Sequence, residues 1–153
     1  MKIRILAIAK KPQNWLAAGE ADFARRIQNF AELEMILLAP ADENSLAEKA
    51  KKIESEKLLA KISPDDFVVA CDPGGRNFTS ENFAEIFRDA RDTAKKLVCV
   101  VGGSSGLDPQ ILARANLKIA FSKMTFPHEL FRVILLEQIY RAFTILAGRR
   151  YHK

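Results

Sequence analysis

His128 and Arg132 stand one helical turn apart near the C-terminus. Histidine exchanges protons near neutral pH, and arginine is a permanent cation suited to carboxylates and phosphates. Upstream lies Gly102-Gly103-Ser104-Ser105-Gly106. Such a loop lets backbone approach a ligand closely, and it serves equally as a tight turn needing positive φ. Cys71 and Cys99 fall inside apolar runs, so they read as reduced core thiols rather than a disulfide framework. The second histidine, His152, sits in the Tyr151-His152-Lys153 tail, where a frayed end is the ordinary expectation. Two distant histidines and two buried cysteines make no metal site, and no metal is expected. No Ser-His-Asp or Cys-His arrangement is legible.

These groups must be positioned by regular elements. Leu97 to Val101 is a β-branched run ending at the glycines, which reads as a buried strand. Asp108 can cap a short helix that starts at Pro109. Lys118 to Phe121 reads as another strand, Ser122 to Phe126 as irregular backbone, and Pro127 as the opening of a last helix. Two strand ends thus deliver two loops, and in an open parallel sheet such ends form the ligand crevice. The last helix, His128 to Ala147, is apolar nearly all round. Such a helix must be covered on more than one side, and a partner subunit is the expected second cover. Arg132 falls in the middle of its apolar arc of Phe131, Leu135, Leu136, Ile139, Ala142, Phe143 and Leu146. It is expected to emerge at a pocket mouth, or else to snorkel or to pair with Glu129 or Glu137. Beside it, His128 is either a pocket residue or a plain structural histidine.

Earlier in the chain, Ile3 to Ala9 reads as the first strand. Pro12 to Phe30 reads as a helix burying Trp15, Leu16, Phe23, Ile27 and Phe30, and Leu33 to Leu38 as the second strand. Asn44 or Ser45 can cap a largely exposed charged helix reaching about Ile62, with Leu46, Ala50, Ile53 and Leu58 as its apolar positions. Asp66 to Cys71 reads as the third strand, ended by the turn composition Asp72-Pro73-Gly74-Gly75. Thr79 or Ser80 caps the next helix, with Phe83, Ile86, Phe87 and Ala90 as its core stripe. The alternation predicts an α/β fold, a mainly parallel sheet with helices on both faces, in one domain over 1–153. The first strand carries no G-x-G-x-x-G, and no phosphate-loop motif occurs, so standard dinucleotide binding is excluded.

The composition agrees with a folded globule: of 153 residues 48% are apolar and 28% charged. No apolar run approaches the roughly 20 residues that span a bilayer. The N-terminus does not fit a signal peptide, so a cytoplasmic location is expected. Lys and Arg number 24 against 19 Asp and Glu, for a net charge of +5. That excess tolerates a polyanionic partner without establishing one, and the pair Arg25-Arg26 reads as a wet helix face or as part of such a surface.

VGGSSGLD, followed by FSKMTFPHELFRVILLEQIYRAFTILAGRRYHK, resembles the SPOUT-class methyltransferase H family of the large ribosomal subunit. That family shows IGG-x-x-GL, then H-x-x-x-R-V and EQ-[IL]-YRA, then a closing YH-[RK]. KIRILAIAKK and DFVVACDPGG fit at the matching offsets, so the likeness covers the whole chain. The resemblance implies an α/β fold with a C-terminal trefoil knot and an obligate homodimer binding S-adenosylmethionine at the knot. The implied reaction is methylation of N3 of a pseudouridine in 23S rRNA of an assembled ribosome. By motif, the cofactor positions are Cys71, Asp72, Gly102, Gly103, Phe121, Ser122, Lys123, Met124, Thr125 and Phe126, with leucine more usual at position 71. His128, Arg132, Tyr151 and His152 match positions near the substrate, with the tail acting across the dimer. Arg150 replaces the proline common before that tyrosine. Two other readings stand beside this one: a methyltransferase of the same fold for another rRNA or tRNA site, and a dimeric RNA- or nucleotide-binding module without activity.

Overall fold

The computed structural model describes residues 1–10, 14–42 and 44–151. Five strands form one sheet: β1 (Lys2–Ile8), β2 (Glu32–Leu38), β3 (Phe67–Asn77), β4 (Leu97–Val101) and β5 (Leu117–Ala120). Their order across the sheet is β2-β1-β4-β3-β5, and every neighbouring pair is parallel. Between them run α1 (Asn14–Ile27), α2 (Ala47–Leu59), α3 (Ser80–Asp92), α4 (Pro109–Arg114) and α5 (His128–Leu146). This is the expected parallel α/β architecture.

Alternate strand residues serve two cores. Ile3, Ile5, Val69, Leu97, Cys99 and Val101 pack under α1, α3 and α5. Leu6, Ile8, Val68, Ala70, Val98 and Val100 pack under α2 and α4. Strands buried on both faces need continuous apolar runs, and β4 has one, with all five residues buried.

α5 lies between α1 and α3. Phe30 stacks on Phe143 at 5.5 Å, and Phe87 meets the same ring edge-on at 5.5 Å. The sheet below and a helix on each side cover one face of α5, while Val133, Ile134, Tyr140 and Ile145 stay partly exposed.

Some local expectations are corrected. Trp15 is 69% exposed, because α1 turns Glu20 and Ile27 inward and leaves Trp15 off that stripe. Leu46 is 80% exposed. Neither Asn44 nor Ser45 caps α2: the Asn44 N–H donates to Asp42 Oδ1 at 2.8 Å, and Leu46 stands at the N-cap with no side-chain bond. Two caps are as expected. Thr79 accepts from the Asn82 N–H, and Asp108 accepts from the Gln110 N–H at 2.8 Å. β3 does not stop at Cys71. Both Cys71 and Arg76 pair with Ile119, so the chain leaves the ladder between them and returns to the same partner. Gly75 permits the return, since a Cβ there would stand 2.6 Å from the Ile119 nitrogen. Pro12, expected in the first helix, lies outside the described residues, as does His152.

Candidate active site

A cleft of about 230 Å³ opens at the C-terminal ends of β3, β4 and β5. Three chain segments and the start of α5 build it. The first is Cys71, Asp72 and Pro73, where β3 leaves the ladder. Asp72 Oδ1 accepts the Gly74 N–H at 2.8 Å, which shapes this turn. Burial pushes the Cys71 thiol well above its ordinary range, helped by Cys99 and Asp72, so it lines the cleft as a neutral, weakly polar surface.

The second segment is the glycine loop. A Cβ on Gly102 would lie 2.7 Å from Gly106 backbone, Gly103 bridges Gly106, and Gly106 has φ +81°. The loop is a tight turn, one of the two readings the sequence offered, and its residues line the cleft.

The third segment runs from Ile119 to Phe126. Phe121 and Phe126 lean on Phe131 of α5, with centroids at 5.0 and 6.4 Å, and form an aromatic wall. The Ser122 hydroxyl accepts the Met124 N–H at 2.9 Å, curling the loop over the opening, where Met124 is 76% exposed. Of the ten positions implied for cofactor, Cys71, Asp72, Gly102, Gly103, Phe121, Ser122, Met124, Thr125 and Phe126 line this cleft. Lys123 is exposed and does not.

His128 also lines the cleft, as the first residue of α5. Its Nε2 is buried and has no partner among the described residues. Burial holds its pKa below 6.5, and the Arg132 charge adds to that effect. The Ile8 carbonyl, Glu129 and Glu54 act in the opposite sense. At pH 7 the imidazole is therefore neutral and able to accept a proton.

Arg132 does not emerge at the mouth. It is fully buried, and its Nε donates to Glu20 Oε1 of α1 at 2.7 Å. Neither Glu129 nor Glu137 is its partner: Glu137 binds Arg141, whose Nε lies 3.0 Å away, and accepts the Tyr151 hydroxyl at 3.1 Å. Tyr151 packs on Tyr140 at 4.8 Å. Nine residues at about 1.5 Å each put Glu137 about 13.5 Å along α5 from His128, so Tyr151 lies away from this cleft. Among the described residues no group of His, Cys, Asp and Glu could hold a metal ion. No helix among them is long and apolar enough to cross a membrane.

The sequence reasoning missed Glu20 and Glu54, both buried. Each follows an apolar position by four residues, Leu16 and Ala50, so a charge placed on a core stripe was the available signal.

Parallel strands, a glycine loop after β4 and a curled loop after β5 define a class, and comparison with known proteins gives the same one. The family described as "Predicted SPOUT methyltransferase" matches residues 1–152. The chain belongs to the SPOUT methyltransferase family, whose members are methyl-transferring enzymes. Relatives named "Ribosomal RNA large subunit methyltransferase H" are 42% identical to it. The one from Carboxydothermus hydrogenoformans aligns over 163 residues, and one from Clostridium botulinum over 159, each covering all of both chains. In fold, the chain is similar to a solved probable methylase family protein from Haemophilus influenzae. The TM-score is 0.54 at 16% identity, over 99% of this chain and 70% of that one.

Proposed function

We propose that the protein is an S-adenosylmethionine-dependent methyltransferase that methylates N3 of a pseudouridine in 23S rRNA. It works as a homodimer on the assembled ribosome, in the cytoplasm, with the C-terminal segment threaded as a trefoil knot. The observation that carries this reading is the cleft itself, formed by the loops that follow β3, β4 and β5, in a chain alike over its whole length to proteins named for rRNA methylation.

The cleft residues suit the donor. Phe121, Phe126, Phe131, Leu107 and Ile119 offer apolar walls for a flat heteroaromatic ring. The backbone from Ser122 to Phe126 offers N–H and C=O groups to its edge, a combination typical of cofactor sites. Bound there, S-adenosylmethionine supplies an electrophilic methyl group. The protein's part is alignment and proton removal. Fixed walls align the donor with the ring nitrogen, and alignment supplies much of the rate in such a displacement. The N3 proton passes to Nε2 of His128, which is neutral and unpaired, an effect worth roughly 10²–10⁴-fold. Arg132 acts from within through its charge on His128.

The cleft of about 230 Å³ is smaller than the roughly 300–1,000 Å³ usual for ligand pockets. In this reading a second subunit completes the site, and Tyr151 and His152 act on the substrate across the dimer. His128→Ala is expected to keep donor binding by calorimetry and to lose most turnover; undiminished turnover removes His128 from the mechanism. The function is tested by methyl transfer from labelled donor to ribosomes lacking the modification, followed by mapping of the labelled base. Label on another base, or none, overturns it.

A further inference from the structure

Several buried polar side-chain atoms have no hydrogen-bond partner within the protein. Among the described residues they are Glu54 Oε2, Ser55 Oγ, His128 Nε2 and both terminal nitrogens of Arg132. Unpaired buried groups are costly, so each one calls for a physical reason.

Glu54 is held through its other oxygen. Oε1 accepts the Ala41 N–H at 3.0 Å, in the connection between β2 and α2. The carboxylate rests directly on the glycine loop: a Cβ on Gly103 would stand 2.7 Å from Oε2 and 3.1 Å from Oε1. The same point is 3.1 Å from Ile8 Cγ2, and the Ile8 carbonyl receives the His128 ring. Gly103 and His128 both line the cleft, whereas Glu54 does not. The glycine at 103 is thus explained by the carboxylate lying against it.

We propose that Glu54 is a positioning residue of the methyl-transfer site, its buried carboxylate held by the β2–α2 connection at Ala41 and packed against the glycine loop at Gly103, behind the cleft that His128 lines. This rests on the methyltransferase reading above. The groups acting on His128 are Arg132 and Glu129 from α5, Glu54 from α2 and the Ile8 carbonyl from β1. Glu20 of α1 reaches it only through its bond to Arg132. Of the two carboxylates acting on the imidazole, Glu54 alone is buried and anchored to another element.

Glu54→Gln keeps an oxygen for the Ala41 N–H and removes the charge. It is expected to fold with an unfolding midpoint at or above that of the parent, because a buried unpaired charge is gone. The His128 titration, followed by NMR and assigned with His128→Gln, is expected to move to lower pH. Methyl transfer to ribosomes is expected to fall roughly tenfold or more, since small misplacements of reacting groups cost rates of that order. Glu54→Asp, which keeps the charge on a shorter stem, is expected to leave the titration nearer the parent's while still lowering turnover. Either an unmoved titration or unchanged turnover in Glu54→Gln overturns the inference. If the parent protein itself transfers no methyl group, the proposed function fails instead.

Discussion

Arg132 and Glu20 set two charges inside the protein at 0% and 7% exposure, joined by one 2.7 Å hydrogen bond. Removing water from both is expensive, and a single contact repays it only in part. Arg132→Met is therefore expected to cost about 3–5 kcal/mol by leaving Glu20 buried and alone. The double variant Glu20→Met/Arg132→Met is expected to recover most of that, and urea unfolding of both proteins checks the pair. His128 gives the pH dependence at this scale. Its folded pKa lies below 6.5, so the unfolded chain binds more protons as pH falls below that value. Its contribution to stability is full above 6.5 and is lost as pH falls through the lowered native value. Turnover is expected to decline over the same window, as a pH-rate profile reads directly. In the sequence, Arg132 was legible as a charge within an apolar arc. Its partner was not, because Glu20 lies 112 residues earlier and periodicity carries no information across helices. Glu54 was overlooked for another reason: among the many Lys and Glu residues of α2, only its spacing from Ala50 sets this carboxylate apart from solvated neighbours.

At the scale of elements, caps and close approaches decide how well the cleft is held. α4 has six residues and depends on its N-cap, Asp108, which follows the glycine loop two residues after Gly106. Asp108→Ala is expected to cost about 1 kcal/mol and to weaken donor binding, by thermal melts and calorimetry. Gly75→Ala is expected to do more harm. Its Cβ would fall within 2.7 Å of β5 backbone, which cannot yield as a side-chain tip can, so the β3–β5 pairing would have to open. Loss of donor binding together with a lowered melting temperature is the expected result. The strands, the helix order and the caps at Thr79 and Asp108 were readable because period and cap chemistry are local. The β3 return was not. Asp72-Pro73-Gly74-Gly75 has the composition of a turn, and only contact with Ile119 shows that the strand resumes. In α5 the buried arc from Leu135 to Phe143 was legible from its period, and α1 and α3 flank it.

At the scale of the molecule, charge and thiols make further predictions. Arg25 and Arg26 are exposed but share Asp22, at 2.8 Å each, while Arg149 lies over the Phe30 ring at 4.7 Å. The basic surface is thus partly neutralised, and ribosome binding is expected to weaken with salt along a shallow slope, measurable by titration in rising salt. Cys99 is pushed up to about 12 by burial and Cys71 is also raised, so both stay protonated at neutral pH. Neither is expected to react with a thiol reagent until the chain unfolds.

The sheet also governs how the protein assembles. Ile3 pairs with Leu97, most of the chain away, and no two adjacent strands are joined by a hairpin. Every ladder must therefore wait for a long crossover to close, which makes such chains slow to refold. The cleft forms only where β3, β4 and β5 have paired, so after dilution from denaturant, donor binding should return later than bulk helical content.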